Sequence, residues 1–412
     1  MTVVNFEDMR LSLLFGAVLP LLTAWPTSAP EPTNPIGLAL AAAGNAQNGR
    51  LNYLLPVLAL RQHRADYAAP DQRGGYLQAL ATFEAMSGET DSAATHWAQL
   101  GQFPTPAPAP VPVLATQPAA PLILAQARQQ RVLMFNEAHT QPRGRYLVGS
   151  LLPELHRLGF NYLALEALDA ADTAGVRQRG FPVGSSGFYV REPTLANLVR
   201  EARRLGMHVV AYDAFGADRE QNQARNLLAA TIGRNPVARV VVLAGHAHIN
   251  ERPDPQFKSM AQWFRELSGL DPFTIDQTQL DYAPPPGLAA PPAGAYVVTD
   301  ARYRPALNLI TDLTVLNRLA PADPGNGFGA RGARPLLVSV PPDSLQPNQP
   351  QLLLVYRQAE TRAVPNPLPV AVRWLRPAET QLRFALLPGV YLIELRDAPG
   401  RRCWQQVRQV GK

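Results

Sequence analysis

The spacing of hydrophobic positions changes twice along this chain, and the changes divide it. Over residues 36–102, the runs GLALAAAG, RLNYLLPVLALRQH, GGYLQALATFEAM and SAATHWAQL set apolar residues three and four apart. That is the period of helices with one buried face. Gly88 and Asp91 mark a turn and a helix start between the last two. Residues 103–121, FPTPAPAPVPVLATQPAAP, carry too many prolines for either period and predict a semi-rigid extended linker.

From 122 to 318 apolar runs of four to six residues alternate with amphipathic stretches of 10 to 15. Strands are predicted at Val132–Phe135, Tyr162–Leu165, His208–Tyr212, Val240–Leu243 and Phe273–Ile275. Helices are predicted at Gly144–Leu158, Thr194–Leu205, Arg219–Ile232 and Gln256–Leu267. This order makes an α/β domain with a mostly parallel, helix-covered sheet. Tyr296–Thr299 and Leu307–Leu313 add edge strands. A second joint, LAPADPGNGFGARGAR at 319–334, precedes another change of period. Over 335–412 the period is two, in LLVSV, QLLLVYR, VAVRW, LRFALL, GVYLIEL and CWQQVRQV. Six short strands there predict a small β-sandwich, with a structural or docking role.

Composition sharpens this only in places. At 412 residues the chain exceeds one ordinary core, so two or three domains are expected. The net charge of +6 comes almost wholly from scattered arginines. With no basic block, nucleic-acid binding is not indicated. Cys403 is the only cysteine, which excludes an internal disulfide and a cysteine-based zinc cluster. Residues 1–30 read as a signal peptide: Leu11–Leu22 is an apolar run too short to span a bilayer, preceded by Met9-Arg10. An exported, periplasmic or envelope location and no transmembrane segment in the mature chain are therefore expected. The first segment, 36–102, is weakly tetratricopeptide-like over Tyr76–Leu100, and one such pair makes no repeat array. It is read as a helical cap on the main domain.

In an open parallel sheet, ligands sit beyond the carboxyl ends of the strands. Glu137 and His139 follow the first predicted strand, Glu166 ends the second, Asp213 follows the third, His246 and His248 the fourth, and Asp276 the fifth. Every strand thus delivers a titratable group to one edge. Glu137 and His139, like His246 and His248, are two apart, and i and i+2 point the same way in extended chain. Imidazole and carboxylate together suit a zinc or manganese ion. Without metal, a histidine oriented by a glutamate suits a general base acting on water. His139, Glu166, His246 and His248 are the candidate metal ligands, and Asp213, Arg219 and Arg143 the candidate substrate contacts. The loop RQRGFPVGSSGFY, 177–189, is expected to fold over the pocket. His63, His96, His156 and His208 are read as structural. A serine elbow, a dinucleotide fingerprint and a phosphate-binding loop are all missing from the sequence.

VLMFNEAHTQP, YLALEAL and VVVLAGHAHINE resemble the erythromycin esterase / ChaN-like / TIKI superfamily over residues ~128–280. Its pattern is an apolar strand, Gly-Glu-x-His, a strand ending in Glu, and later a strand followed by Gly-x-x-His. Asn136 stands where that pattern has glycine. The resemblance implies that Glu137, His139, Glu166 and His248 line a catalytic pocket. It implies a hydrolase of small molecules or peptides, metal-free or metal-dependent; the alternative it implies is a ChaN-like haem or metal binder without catalysis.

Overall fold

The computed structural model describes residues 34–44, 50–100, 115–252, 254–282, 291–300, 310–319, 328, 332–346, 348–375 and 379–411. The expected signal peptide and residues 103–114 of the expected linker lie outside the described residues.

Four helices come first, α1 (Pro35–Gly44), α2 (Leu55–Gln62), α3 (Pro70–Met86) and α4 (Thr90–Ala98). Gly88 makes the turn between the last two at φ +86°. Asp91 lies inside the first turn of α4 rather than capping it, because Glu89 occupies the cap position. The last residues of the expected linker are a strand and a helix start instead: β1 (Ala115–Pro118) is followed by α5 (Ala119–Ala127). β1 is an edge strand, so a terminal proline costs the ladder no central bond.

The main domain continues with β2 (Val132–Glu137), α6 (Pro142–Arg157), β3 (Tyr162–Leu165), α7 (Thr173–Arg179), α8 (Pro193–Arg204), β4 (His208–Ala211), α9 (Arg219–Ala230), β5 (Val240–Gly245), α10 (Met260–Ser268), β6 (Phe273–Asp276), α11 (Gln279–Tyr282), β7 (Ala295–Thr299) and β8 (Leu313–Asn317). The eighth strand begins where the sequence pattern ended it: residues 307–309 of the expected Leu307–Leu313 strand are outside the described residues, and pairing starts at Leu313. The sheet order is β1-β7-β8-β6-β2-β5-β3-β4. The run from β8 to β4 is parallel, and β7 is antiparallel to both neighbours.

β2 and β5 are buried at every position, as expected of central parallel strands covered on both faces. Alternate residues serve the two faces. Leu133, Phe135, Val241 and Leu243 join one apolar cluster with α6 and α8. Met134, Val240 and Val242 join another with α9 and α10. The chain leaves β2 toward β3 on one side, and leaves β5 toward β6 on the other. The order therefore reverses between β2 and β5, which is where such sheets open a crevice.

The C-terminal part holds β9 (Arg334–Ser339), β10 (Gln351–Arg357), α12 (Gln358–Ala363), β11 (Ala371–Trp374), β12 (Gln381–Leu386), β13 (Gly389–Asp397) and β14 (Arg402–Val410). They form two antiparallel sheets, β11-β10-β13-β14 and β12-β9, over one shared apolar cluster. All three parts of the molecule are sewn together. Tyr53, Leu80 and Phe83 of the helical segment share one core cluster with Leu163 of the sheet and with Leu354 and Val372 of the C-terminal part. Trp374 Nε1 donates to Ser87 Oγ at 3.0 Å, and Tyr53 donates to the Arg191 carbonyl at 2.9 Å. Among the described residues no helix is long and apolar enough to cross a membrane.

Candidate functional site

The site lies at the carboxyl ends of β2, β3 and β5. Glu137, the last residue of β2, is 2% exposed, and a carboxylate so buried needs partners. Arg145, wholly buried in the first turns of α6, supplies two: its Nε donates to Glu137 Oε2 at 2.7 Å and its Nη2 to Oε1 at 2.9 Å. The same guanidinium donates through Nη1 to Glu192 Oε2 at 2.9 Å and through Nη2 to the His139 carbonyl at 3.1 Å. Glu192 also accepts from the backbone N–H groups of Thr194 and Leu195, capping α8. Burial alone would raise the Glu137 pKa. Arg145 and His139 outweigh it and bring it down to about 2.

The ionised Glu137 fixes His139. Its Oε1 lies 2.8 Å from His139 Nδ1, and the imidazole ring stacks on Tyr189, with centroids 3.8 Å apart and planes 17° apart. With Nδ1 as the donor, Nε2 is left as an acceptor, and no hydrogen-bond partner meets it among the described residues.

Glu166 follows β3 at 5% exposure. Oε1 accepts from Arg219 Nη2 at 2.8 Å and lies 3.2 Å from His248 Nε2, and Oε2 accepts from the Gly245 N–H. His248 Nδ1 in turn sits 2.7 Å from Glu220 Oε1, an ion-pair contact off the line of a good hydrogen bond. Burial opposes the imidazolium, but Glu166 and Glu220 outweigh it and push the His248 pKa up to about 10. The Glu166 carboxyl is likewise held well below its usual range, against burial, by His248, His139 and Arg219. His246 behaves oppositely. Burial, with the neighbouring His139 imidazole as a lesser cause, lowers its pKa to about 3, and its ring lies parallel to Trp97 of α4 with centroids 5.9 Å apart.

Gly245 sits at the centre. A Cβ there would stand 3.3 Å from Glu166 Oε2, 3.3 Å from His139 Nε2 and 3.4 Å from His248 Cδ2. Three side chains from three strand ends thus crowd one point. Gly187 does similar work at the rim. Its φ of +146° and a would-be Cβ 2.0 Å from the Ala167 carbonyl let the 177–189 loop close onto the end of β3. That stretch, expected to fold over the pocket, ends in Tyr189, which stacks on His139.

The other expected residues divide. Asp213 and Arg219 belong to the site, with Arg219 Nη2 donating to Asp213 Oδ1 at 3.0 Å as well as to Glu166. Arg143 lies aside, donating to Gln141 Oε1 and the Asn317 carbonyl. Asp276 accepts from the N–H groups of Thr278 and Gln279 and caps its own loop. Asn136 ties two strand ends together: its Nδ2 donates to the His246 carbonyl and its Oδ1 accepts from the Gln277 N–H. Arg145, Tyr189, Glu192 and Glu220 are the site residues that strand-end reasoning missed. For Arg145 a signal existed, since residues 143 and 145 of one helix face nearly opposite ways.

The expected ligand set His139, Glu166, His246 and His248 does reach one edge, yet it does not fit a divalent metal as arranged. Both Glu166 oxygens accept from N–H donors, Arg219 holds a positive charge against them, and His248 lies between two carboxylates that raise its pKa. Among the described residues no three His, Cys, Asp or Glu side chains are disposed to hold a metal ion.

No family model matches this chain, and no curated protein matches it. Similar solved structures include one titled bacterial protein toxins, 13% identical, covering 54% of this chain and 54% of that one at a TM-score of 0.30. Another is the type III effector HopBA1, 14% identical, covering 40% of this chain and 86% of that one at 0.25. A third is RRSP, a MARTX toxin effector domain from Vibrio vulnificus CMCP6, 15% identical, covering 66% of this chain and 58% of that one at 0.30. This chain spans about half the length of the first of these. Likenesses this distant carry no argument about activity.

Proposed function

We propose that this protein is a hydrolase of the erythromycin-esterase type, in which His139 acts as a metal-free general base on water. One observation carries the reading. Glu137, gripped by buried Arg145, holds His139 Nδ1, and His139 Nε2 faces the point it shares with Glu166 and His248. That is the arrangement of an oriented base: the carboxylate sets the tautomer and the free nitrogen takes the proton. A water between His139 Nε2 and Glu166 Oε2 would give its proton to the imidazole while its oxygen adds to a carbonyl carbon. The same imidazole then returns the proton to the leaving oxygen or nitrogen. His248 and Arg219, both paired with Glu166, stand at the same strand ends.

The test is to compare wild type and His139→Ala on ester, lactone and peptide substrates, each with chelator and with added Mn²⁺ or Zn²⁺. Cleavage of at least one class by the wild type, lost in the variant and indifferent to chelator, is expected. An inert wild type, or a variant of equal rate, removes the reading. A rate abolished by chelator and restored by one of the ions removes its metal-free form.

A further inference from the structure

Beside the base lies a cavity of about 330 Å³ lined by both apolar and acidic side chains. Its apolar walls include Ile36 and Leu40 of α1, Leu168 and Phe188 of the segment after β3, and Phe215 after β4. Its polar end is made by Glu166, Asp213 and Tyr189. Leu40 is 38% exposed and Phe215 50% exposed, so two large apolar side chains that line one hollow are partly open to solvent. Solvent-facing apolar groups that converge on a concavity next to polar chemistry mark a ligand site more often than an accident of packing.

We infer that this cavity is the seat of a neutral apolar acyl or aryl group of the substrate, and that α1 of the helical segment sets which group is accepted. The inference rests on the hydrolase reading for the word substrate, and on geometry alone for the binding. Tyr189 lies on the His139 ring and Glu166 beside the His139 Nε2 position, so a group seated in the hollow brings its attached carbonyl to the polar end where the base stands. The volume lies at the small end of the roughly 300–1,000 Å³ range of small-molecule sites. It suits one side group or chain, not a whole polymer. Charge excludes an anionic head: Glu166, Asp169 and Asp213 all line the cavity, and the Arg219 guanidinium is already shared between Glu166 and Asp213.

The experiment has two arms, both on the full chain. In the first, the neutral apolar fluorophore N-phenyl-1-naphthylamine is titrated into His139→Ala protein, alone and combined with Leu40→Asp, Phe215→Asp or the control Val237→Asp. Val237 is an exposed apolar residue, 80% exposed, that does not line the cavity. Affinity is expected to fall tenfold or more for Leu40→Asp and Phe215→Asp, and to be unchanged for Val237→Asp. In the second arm, kcat/KM is measured for aryl esters of rising acyl length on the otherwise wild-type chain. The octanoyl-to-acetyl ratio is expected to fall at least fivefold in Leu40→Asp and Phe215→Asp and to stay put in Val237→Asp. Failure of the fluorophore to bind, or equal affinity across all variants, overturns the inference even if esters are cleaved. Binding lost as expected in a protein that cleaves no ester, lactone or peptide sustains the cavity and removes the hydrolase reading.

Discussion

Two buried arginine–glutamate clusters in this protein are built alike and end differently. Arg200 of α8 reaches α12, with its Nε and Nη2 on Glu360, its Nη2 also on the Leu368 carbonyl and its Nη1 on Asn197 Oδ1. Arg145 of α6 reaches Glu137 and Glu192 with the same full use of its fork. The Arg200 cluster closes on itself and fastens the C-terminal part to the α/β domain. The Arg145 cluster goes one residue further: Glu137 spends a lone pair on His139, and His139 keeps its second nitrogen toward the site. Burial and ion pairing are therefore not what separate scaffold from chemistry here. The difference is whether the network closes on itself or ends in a ring nitrogen that faces the other strand-end side chains.

The comparison can be broken by removing each arginine. Arg145→Met should have the largest effect, because it leaves two carboxylates buried without their cation. A loss of about 3–5 kcal/mol in chemical denaturation is expected, together with loss of activity in whatever protein still folds, since His139 loses its orienting partner. Next, His139→Ala should lower kcat by about 10²–10⁴ on any ester, lactone or peptide the wild type cleaves, with the denaturation midpoint little changed. An equal loss of stability would place His139 with the scaffold. Arg200→Met should cost about 3–5 kcal/mol of stability and leave kcat per folded molecule unchanged. A kcat that falls with it would erase the distinction drawn here.

A pH titration of stability sharpens the same contrast and has the smallest expected effect. The Glu137 pKa is depressed from 4.5 to about 2, so its contribution is complete above pH 4.5 and is lost as pH falls through 2. The His248 pKa is raised from 6.5 to about 10, so its contribution is complete below pH 6.5 and is lost as pH rises through 10. These two groups therefore place an acid limb below about pH 4.5 and an alkaline limb above about pH 6.5. His248→Gln should flatten the alkaline side and leave the acid side in place. An unchanged alkaline limb in that variant would show that His248 is not held as an imidazolium.

Much of the fold was legible because its signals are local. β3 occupies the four residues its apolar run marked out, and β2, β5 and β6 each run one to two residues past theirs. Those added residues include Glu137 and Gly245, which carry the site. β1 and α5 were hidden by proline-rich composition, and the edge position that tolerates Pro118 is visible only once β7 is beside it. In the site, strand-end counting found Glu137, His139, Glu166, Asp213 and His248, because a parallel sheet sends every carboxyl end to one side. It could not find Glu192, Tyr189 or Glu220, which reach the site from a helix cap, a loop and a helix face.

The sequence by itself determined the alternation of apolar runs, hence the parallel sheet and which edge would hold the titratable groups. Only the tertiary structure decided what state those groups are in. Arg145 and Glu137 are eight residues apart, but Glu192 and Glu137 are 55, and Gly245 and Glu166 are 79. Whether a carboxylate is ionised, whether a histidine is a base or a cation, and whether an oxygen is free for metal all depend on charges brought within a few ångströms across those separations. NEAH and GHAH are written in the chain. That one histidine keeps an open nitrogen while another is clamped between Glu166 and Glu220 was settled by packing.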